Sequence, residues 1–171
     1  YEPYSYLDET GDFTGIAVDL AREACRRLGY RPEFHQVVWE NKDQELAAGK
    51  IDCLWGSFTM TGREDLYQWA GPYLYSRQVV VVQADSDIAT LADLAGKRVA
   101  VQATSKPETV FLERPEPERV PEVGEVYCFS TMEEVYSAIR KYFVDAIAGG
   151  GGLGTLGDTS AFFNTAEFNT P

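Results

Sequence analysis

The chain has 171 residues, 15 of them basic and 27 acidic, for a net charge of −12. That length suits one domain or two small lobes, and that charge argues against nucleic acid, whose phosphates need a Lys/Arg footprint, and against an anionic membrane surface. Hydrophobic residues at 44% and aromatics at 13% exclude a disordered chain, and the longest apolar run, residues 79–82, is far too short to span a bilayer. No signal peptide or lipidation motif is visible from Tyr1 onward, and the chain opens in mid-pattern without a Met.

Residues 1–6 read as the end of a strand or its exit loop, and Asp8-Glu9-Thr10-Gly11-Asp12 as a polar turn. Val18, Ala21, Cys25 and Leu28 recur at spacings of three and four, which predicts one helical face over 18–28, stopped by Gly29. Residues 31–38 alternate loosely and suggest a strand. Asn41 can cap a short helix over 42–48, ended by Gly49. Residues 51–55 read as a short apolar strand, 56–63 as a polar loop, and the β-branched 77–83 as a buried strand.

A second unit follows. Thr90 with Asp93 makes a capping box over 91–95, ended by Gly96. Residues 97–102 form a strand and 103–106 a turn, and Pro107 suits the first turn of a helix running to Glu113. Residues 114–124, with three prolines, are a surface loop. A strand over 125–129, a helix opened by the Thr131/Glu134 capping box, and a last strand over 144–148 complete the pattern. The order β-α-β-α-β, a strand-like connector, then α-β-α-β-α-β predicts mostly parallel sheets flanked by helices, in two lobes with a cleft between them. Ligands of open α/β sheets sit beyond the carboxyl ends of strands, which singles out the loops at 1–4, 38–41, 56–63, 102–106 and from 149 onward.

Most chemical motifs fail on context. Gly152-Leu153-Gly154-Thr155-Leu156-Gly157 matches GxGxxG, but too little chain follows for the helix, strand and acidic residue of a dinucleotide site. A flexible Gly-rich loop is the simpler reading. There is no GxSxG, HExxH or Walker loop. Cys25, Cys53 and Cys128 fit no zinc or CxxC spacing, and Cys25 and Cys53 read as small buried hydrophobes. His35 is the only histidine and reads as a surface or strand residue. No metal and no cofactor is expected.

What remains is a set of aromatic and polar residues at strand ends. Tyr1, Tyr4, Trp39 and Phe58 fall at predicted loop tips facing the cleft, each with ordinary core packing as the alternative. Arg63 follows the hydroxyl residues Ser57, Thr59 and Thr61, and an Arg fork among hydroxyl and backbone donors suits a carboxylate held bidentately. A surface ion pair with Glu64 or Asp65 is its alternative. Ser105 and Lys106 stand where helix-start N–H groups could grip an anion, or where Ser105 is simply an N-cap.

Together these residues carry a resemblance. Tyr1-Glu2-Pro3-Tyr4, Thr14-Gly15-Ile16-Ala17-Val18-Asp19-Leu20, Lys50-Ile51-Asp52, Thr59-Met60-Thr61-Gly62-Arg63, Gly71-Pro72-Tyr73, Gly96-Lys97-Arg98-Val99-Ala100-Val101-Gln102 and Val144-Asp145-Ala146 stand in an order that resembles the type II periplasmic solute-binding proteins for polar amino acids, over about residues 1–148. The resemblance implies a periplasmic-binding-protein-like α/β fold of two lobes, each a mostly parallel sheet flanked by helices. It implies that Tyr1 stacks on the ligand side chain and Trp39 faces it from the opposite wall. It gives Ser57 and Thr59 to the ligand ammonium and carboxylate, and Arg63, after a one-residue shift, to the carboxylate. Gln102, Ser105 and Lys106 become the second-lobe grip. Gly150 stands where the family usually has an acidic residue for the ammonium, and family members continue for roughly fifty residues more, so the chain reads as shortened relative to them.

The resulting expectation is a first, incomplete lobe over 1–78, a hinge crossover over 79–84, a second lobe over 85–163 and a return toward the hinge over 164–171. Its function would be extracytoplasmic capture of a small amino-acid-like or carboxylate-bearing solute, without catalysis, for delivery to a membrane permease or for signalling to an attached module. The alternatives are the ligand-sensing ectodomain of a membrane-anchored receptor, an enzyme resembling the cyclohexadienyl dehydratases of this fold, and an interaction module with a vestigial pocket.

Overall fold

The computed structural model describes residues 2–56, 58–75 and 78–150, together with the backbone of strand residues 159–164. The chain divides into two compact units, Tyr1–Met60 and Thr61–Pro171.

In the first unit, β1 (Tyr6–Leu7) and β2 (Phe13–Thr14) pair antiparallel, Tyr6 opposite Thr14 and Leu7 opposite Phe13. Asp8 makes the reversal between them. Its Oδ1 accepts from the Thr10 hydroxyl at 2.7 Å and from the Thr10 and Asp12 backbone N–H groups at 2.9 and 3.0 Å. Helix α1 (Ile16–Leu28) follows. Ala17, Val18 and Ala21 are buried, whereas Cys25 is half-buried and Leu28 exposed, so only the first turns of the expected apolar face meet a core. Gly29 ends the helix at φ +77°, a left-handed turn that glycine adopts without a Cβ penalty, and the Tyr30 N–H reaches back to the Cys25 carbonyl at 2.8 Å.

Three sequence expectations change here. Residues 31–38 and 51–55 are not strands. Alternation alone does not make a strand, because the backbone groups need a neighbouring ladder, and Trp55 instead donates its indole Nε1–H to the Ala17 carbonyl of α1 at 2.8 Å. Cys53, in that stretch, is exposed rather than buried. Asn41 does not cap: a 3₁₀ turn over Trp39–Asn41 runs directly into α2 (Lys42–Ala47), and the Asn41 side chain makes no capping hydrogen bond.

The second unit holds a five-stranded sheet, ordered β5-β4-β6-β3-β7. Its strands are β3 (Gln78–Gln83), β4 (Arg98–Gln102), β5 (Glu125–Phe129), β6 (Ala146–Gly150) and β7 (Thr159–Asn164). The strand directions differ from the mostly parallel expectation. β4 is parallel to β5 and β6, but β3 runs antiparallel to both β6 and β7. The stretch expected as a buried strand, 77–83, carries β3, which is bonded on both edges. β7 lies in the tail, where the sequence carries no strand expectation, and the GxGxxG segment falls outside the described residues.

Two-sided burial explains why these strands read as continuous apolar runs. Side chains alternate across the pleat: Val80, Val82, Val99, Val101, Ala146 and Ala148 join Ile88, Leu94, Val110 and Phe111 in one core. Val81, Ala100 and Ile147 point the other way, packing with Val135, Ala138, Ile139 and Val144. Helix α3 (Lys106–Glu113) thus covers one face and α4 (Met132–Arg140) the other. The Thr131/Glu134 capping box forms reciprocally, with the Glu134 N–H donating to Thr131 Oγ1 at 3.2 Å and the Thr131 N–H to Glu134 Oε2 at 3.0 Å. The Thr90/Asp93 box likewise opens a single 3₁₀ turn, Leu91–Leu94.

The starts of β4 and β6 are clamped by one ion pair. Asp145 accepts from the Arg98 backbone N–H at 2.8 Å, from Nε at 3.1 Å and from Nη2 at 2.7 Å. The Arg98 guanidinium holds the Asp145 carboxyl below its usual range. A depressed carboxyl stabilises the fold above its unfolded pKa, and that contribution is lost as pH falls through the lower folded value. Asp145→Asn should therefore cost about 1–2 kcal/mol at pH 7, the smaller figure reflecting solvent around Arg98. The gap between the unfolding curves of wild type and variant should close as pH drops below the ordinary carboxyl value of 3.8, and a pH-independent gap would assign the loss to packing.

Candidate functional site

In the first unit, Tyr4 is positioned by the entry to α1. The free N–H groups of Ile16 and Ala17 donate to the carbonyls of Pro3 at 3.1 Å and Tyr4 at 2.8 Å, so the 2–4 segment serves as the helix's N-terminal cap. This approach is close because residue 15 is glycine. Its φ is +115°, and a Cβ there would lie 2.5 Å from the Tyr4 carbonyl oxygen. Gly15→Ala should displace the Tyr4 segment and destabilise the first unit by about 1–3 kcal/mol, read as faster amide exchange at Ile16 and Ala17. Unchanged protection would show that the segment does not depend on Gly15.

Trp39 and Phe58 are brought together. Their rings meet edge to face, centroids 5.1 Å apart at 90°, and both residues are half-buried. Packing and display are therefore not alternatives here, since each ring does both. Lys42, which sequence reasoning passed over, places its Nζ 5.0 Å from the Trp39 ring centroid. Thr59 is half-buried beside Phe58 in sequence. Tyr1 and Ser57 lie outside the described residues.

In the second unit, the cationic candidates converge on the start of α3. Arg63 Nη2 donates to the Thr104 carbonyl at 3.1 Å, and a Cβ at Gly62 would stand 3.2 Å from Lys106 Nζ. The Arg63 loop is braced by Trp69, whose Nε1–H donates to the Arg63 carbonyl at 3.1 Å and whose ring meets Tyr67 edge to face. Glu64 belongs to the same cluster. The backbone N–H groups of Glu64 itself and of Gly62, and the Lys106 ammonium, hold its carboxyl below the usual range.

Ser105 is an N-cap, but not only that. Its hydroxyl donates to the Gln102 carbonyl at 2.6 Å while facing the Glu108 N–H at 3.5 Å. Gln102, at the end of β4, donates its amide to the Ser130 carbonyl at 3.2 Å. The loop between them is fixed by Glu108, whose Oε2 accepts from the Thr104 N–H at 2.7 Å. This bond holds Thr104 at φ +56°, a left-handed conformation unusual for a β-branched residue. Sequence reasoning missed Glu108, although Ser105-x-x-Glu108 is a capping-box spacing that could have found it.

Glu108 also reaches Cys128 on β5. Partial desolvation, then the hydrogen bond and negative charge of Glu108, push that thiol up to about 11. The residue is exposed yet should alkylate slowly, because the thiolate is the nucleophile. In Glu108→Gln, iodoacetamide should modify Cys128 several-fold faster at pH 8.5, and the Thr104 amide should exchange faster. An unchanged alkylation rate would remove Glu108 as the controlling group.

Arg63 and Lys106 thus meet at the amino end of α3 on a doubly covered α/β sheet, and the fold is that of the two-lobed periplasmic binding proteins. Residues 1–159 match the bacterial extracellular solute-binding proteins, family 3, and the chain belongs to that family. It is 36% identical over 107 residues to the L-cystine-binding protein TcyA of Bacillus subtilis, covering 61% of this chain and 40% of that protein. To the histidine-binding periplasmic protein of Salmonella typhimurium it is 28% identical over 148 residues, 85% of this chain and 55% of the other. Among solved structures, holo ArgBP from T. maritima has a TM-score of 0.81 at 26% identity, covering 95% of this chain and 72% of that one. A substrate binding protein of an ABC uptake transporter from Streptococcus pneumoniae, with bound histidine, shares the fold at a TM-score of 0.84 and 24% identity, covering 96% and 71%. The chain spans about half the length of the curated relatives it matches.

Proposed function

We propose that this chain captures a small amino-acid-like solute outside the cytoplasm and delivers it to a membrane permease, as a binding component rather than an enzyme. The observation that carries the reading is the meeting of Arg63 and Lys106 at the Thr104–Ser105 turn. Two cations and the amino end of α3 favour a carboxylate there, in competition with Glu64, which Lys106 already attracts, and the Arg fork can hold it through two parallel bonds. Family membership and relatives named for cystine and histidine support an amino acid as the source of that carboxylate.

The half-buried pair Trp39–Phe58, with Tyr4, Tyr1 and the hydroxyl loop Ser57–Thr59, is assigned to the ligand side chain and ammonium. Gly150 offers no carboxylate for that ammonium. It ends β6 with its backbone opposite Gln78 in the ladder, so the ammonium falls to backbone and hydroxyl acceptors. Closure of the lobes around the solute would exclude water and strengthen each of these contacts.

Thermal unfolding of the full-length protein against the standard amino acids tests the reading. A ligand at a thousand times its Kd stabilises by about 4 kcal/mol, several degrees in a domain of this size. Arg63→Ala should keep the fold and weaken binding about 100-fold, the value of one desolvated charge-assisted pair. Binding at wild-type strength would remove Arg63 as the carboxylate anchor.

A further inference from the structure

We propose that Cys25 and Cys53 are a disulfide-forming pair whose bond fastens the second half of α1 to the 51–56 segment beside it. The bond is independent of which solute the protein captures.

The 51–56 segment is anchored on the start of α1. Trp55 donates its indole N–H to the Ala17 carbonyl at 2.8 Å, and a Cβ at Gly56 would lie 3.2 Å from the Ala17 Cβ. Cys53 precedes Gly56 by three residues, an extended reach of roughly 10 Å. Cys25 follows Ala17 by eight residues of helix, a rise of roughly 12 Å. A segment running along α1 from that anchor therefore brings the two thiols to one level. Cys25 also stands two turns beyond Val18, on the face that Ala21 shares. The run is toward Cys25, because the two sulfurs sense each other: burial, then the charge of Cys25 and that of Asp52, push the Cys53 thiol above its ordinary value.

A cross-link at this level answers a weakness in the packing. Ala17, Val18 and Ala21 are buried, Cys25 is half-buried, and Leu28 is 71% exposed. Apolar contact thus holds the start of α1 and fades toward its end, and the facing segment is not a strand. A bond between residues 25 and 53 closes a loop of about 28 residues and restricts the unfolded chain accordingly.

Both residues are thiols in this structure, so forming the bond is an oxidation. Cys53 is the exposed member and reacts first. Its thiolate attacks a low-molecular-weight disulfide such as oxidised glutathione, forming a mixed disulfide and releasing one glutathione thiolate. The Cys25 thiolate then attacks the Cys53 sulfur and expels the second. The two protein thiols give up two protons and two electrons, and the oxidant is reduced to two thiols. The family is extracellular, a setting in which disulfides persist. Cys128, in the second unit, is left as the free thiol.

Peptide mapping of the full chain tests this directly. After equilibration with oxidised glutathione and quenching in acid, the unreduced map should join the Cys25 and Cys53 peptides, two hydrogens lighter than their sum. Dithiothreitol should then lower the thermal midpoint by several degrees. Cys25→Ser and Cys53→Ser should abolish that redox dependence, and Cys128→Ser should keep both the link and the shift. Full alkylation of Cys25 and Cys53 after the oxidant would overturn the proposal, as would oxidation that stops at a Cys53–glutathione adduct or links Cys128 instead. A link whose reduction leaves the midpoint unchanged would overturn its fastening role. The map is read on the wild-type chain, so it decides the pairing even where a serine variant does not fold. No solute enters either assay, so failure of the capture reading leaves these outcomes unchanged.

Discussion

Burial of one sheet on both faces is the constraint on which the second unit depends. β3, β4 and β6 are apolar through their centres, because successive residues along each strand meet opposite helical layers. Val81, Ala100 and Ile147 pack on the α4 side, and Val80, Val101 and Ala148 on the α3 side. A sheet so clamped has rigid strand ends. The carboxyl end of β4 is where the chain turns through Thr104 into α3, so the precision of the Gln102–Lys106 loop is inherited from the core beneath it.

Polar contacts then refine what the core positions. Glu108 is central because one carboxylate ties the Thr104 N–H of the loop to the thiol of Cys128 on the neighbouring strand. It occupies the Thr104 N–H just before the helix, at the turn where Arg63 and Lys106 also stand. The first unit uses a different device, with the 2–4 segment capping α1 directly through backbone carbonyls, which only glycine at position 15 permits. Each unit thus places some of its candidate residues, Tyr4 in the first and Ser105 and Lys106 in the second, at the amino end of a helix, where orphan N–H groups need partners and anionic or carbonyl oxygens are favoured.

The candidate residues differ in how they are held. Arg63 is braced through its own carbonyl by Trp69, and its guanidinium donates to the Thr104 carbonyl. Trp39 is held through its ring by Phe58 and Lys42, so its orientation and its electrostatic character are set together.

The sequence by itself determined the helices, the capping boxes and the family. Spacings of three and four, a Gly29 stop, Thr131 with Glu134, and loop motifs in a fixed order are local signals, and their physics is complete within a few residues. It also named Arg63, Ser105 and Lys106 from the donor chemistry of their types. Only the tertiary structure decided the direction of β3, the strand at 159–164, and the loss of the strands expected at 31–38 and 51–55. Strand identity depends on hydrogen-bond partners far along the chain, which alternation in one segment does not specify. The same reason hid Lys42 and Glu108: a lysine or glutamate is ordinary on a surface helix, and becomes chemically distinctive only when folding buries it beside an aromatic face or aims it at a strained turn.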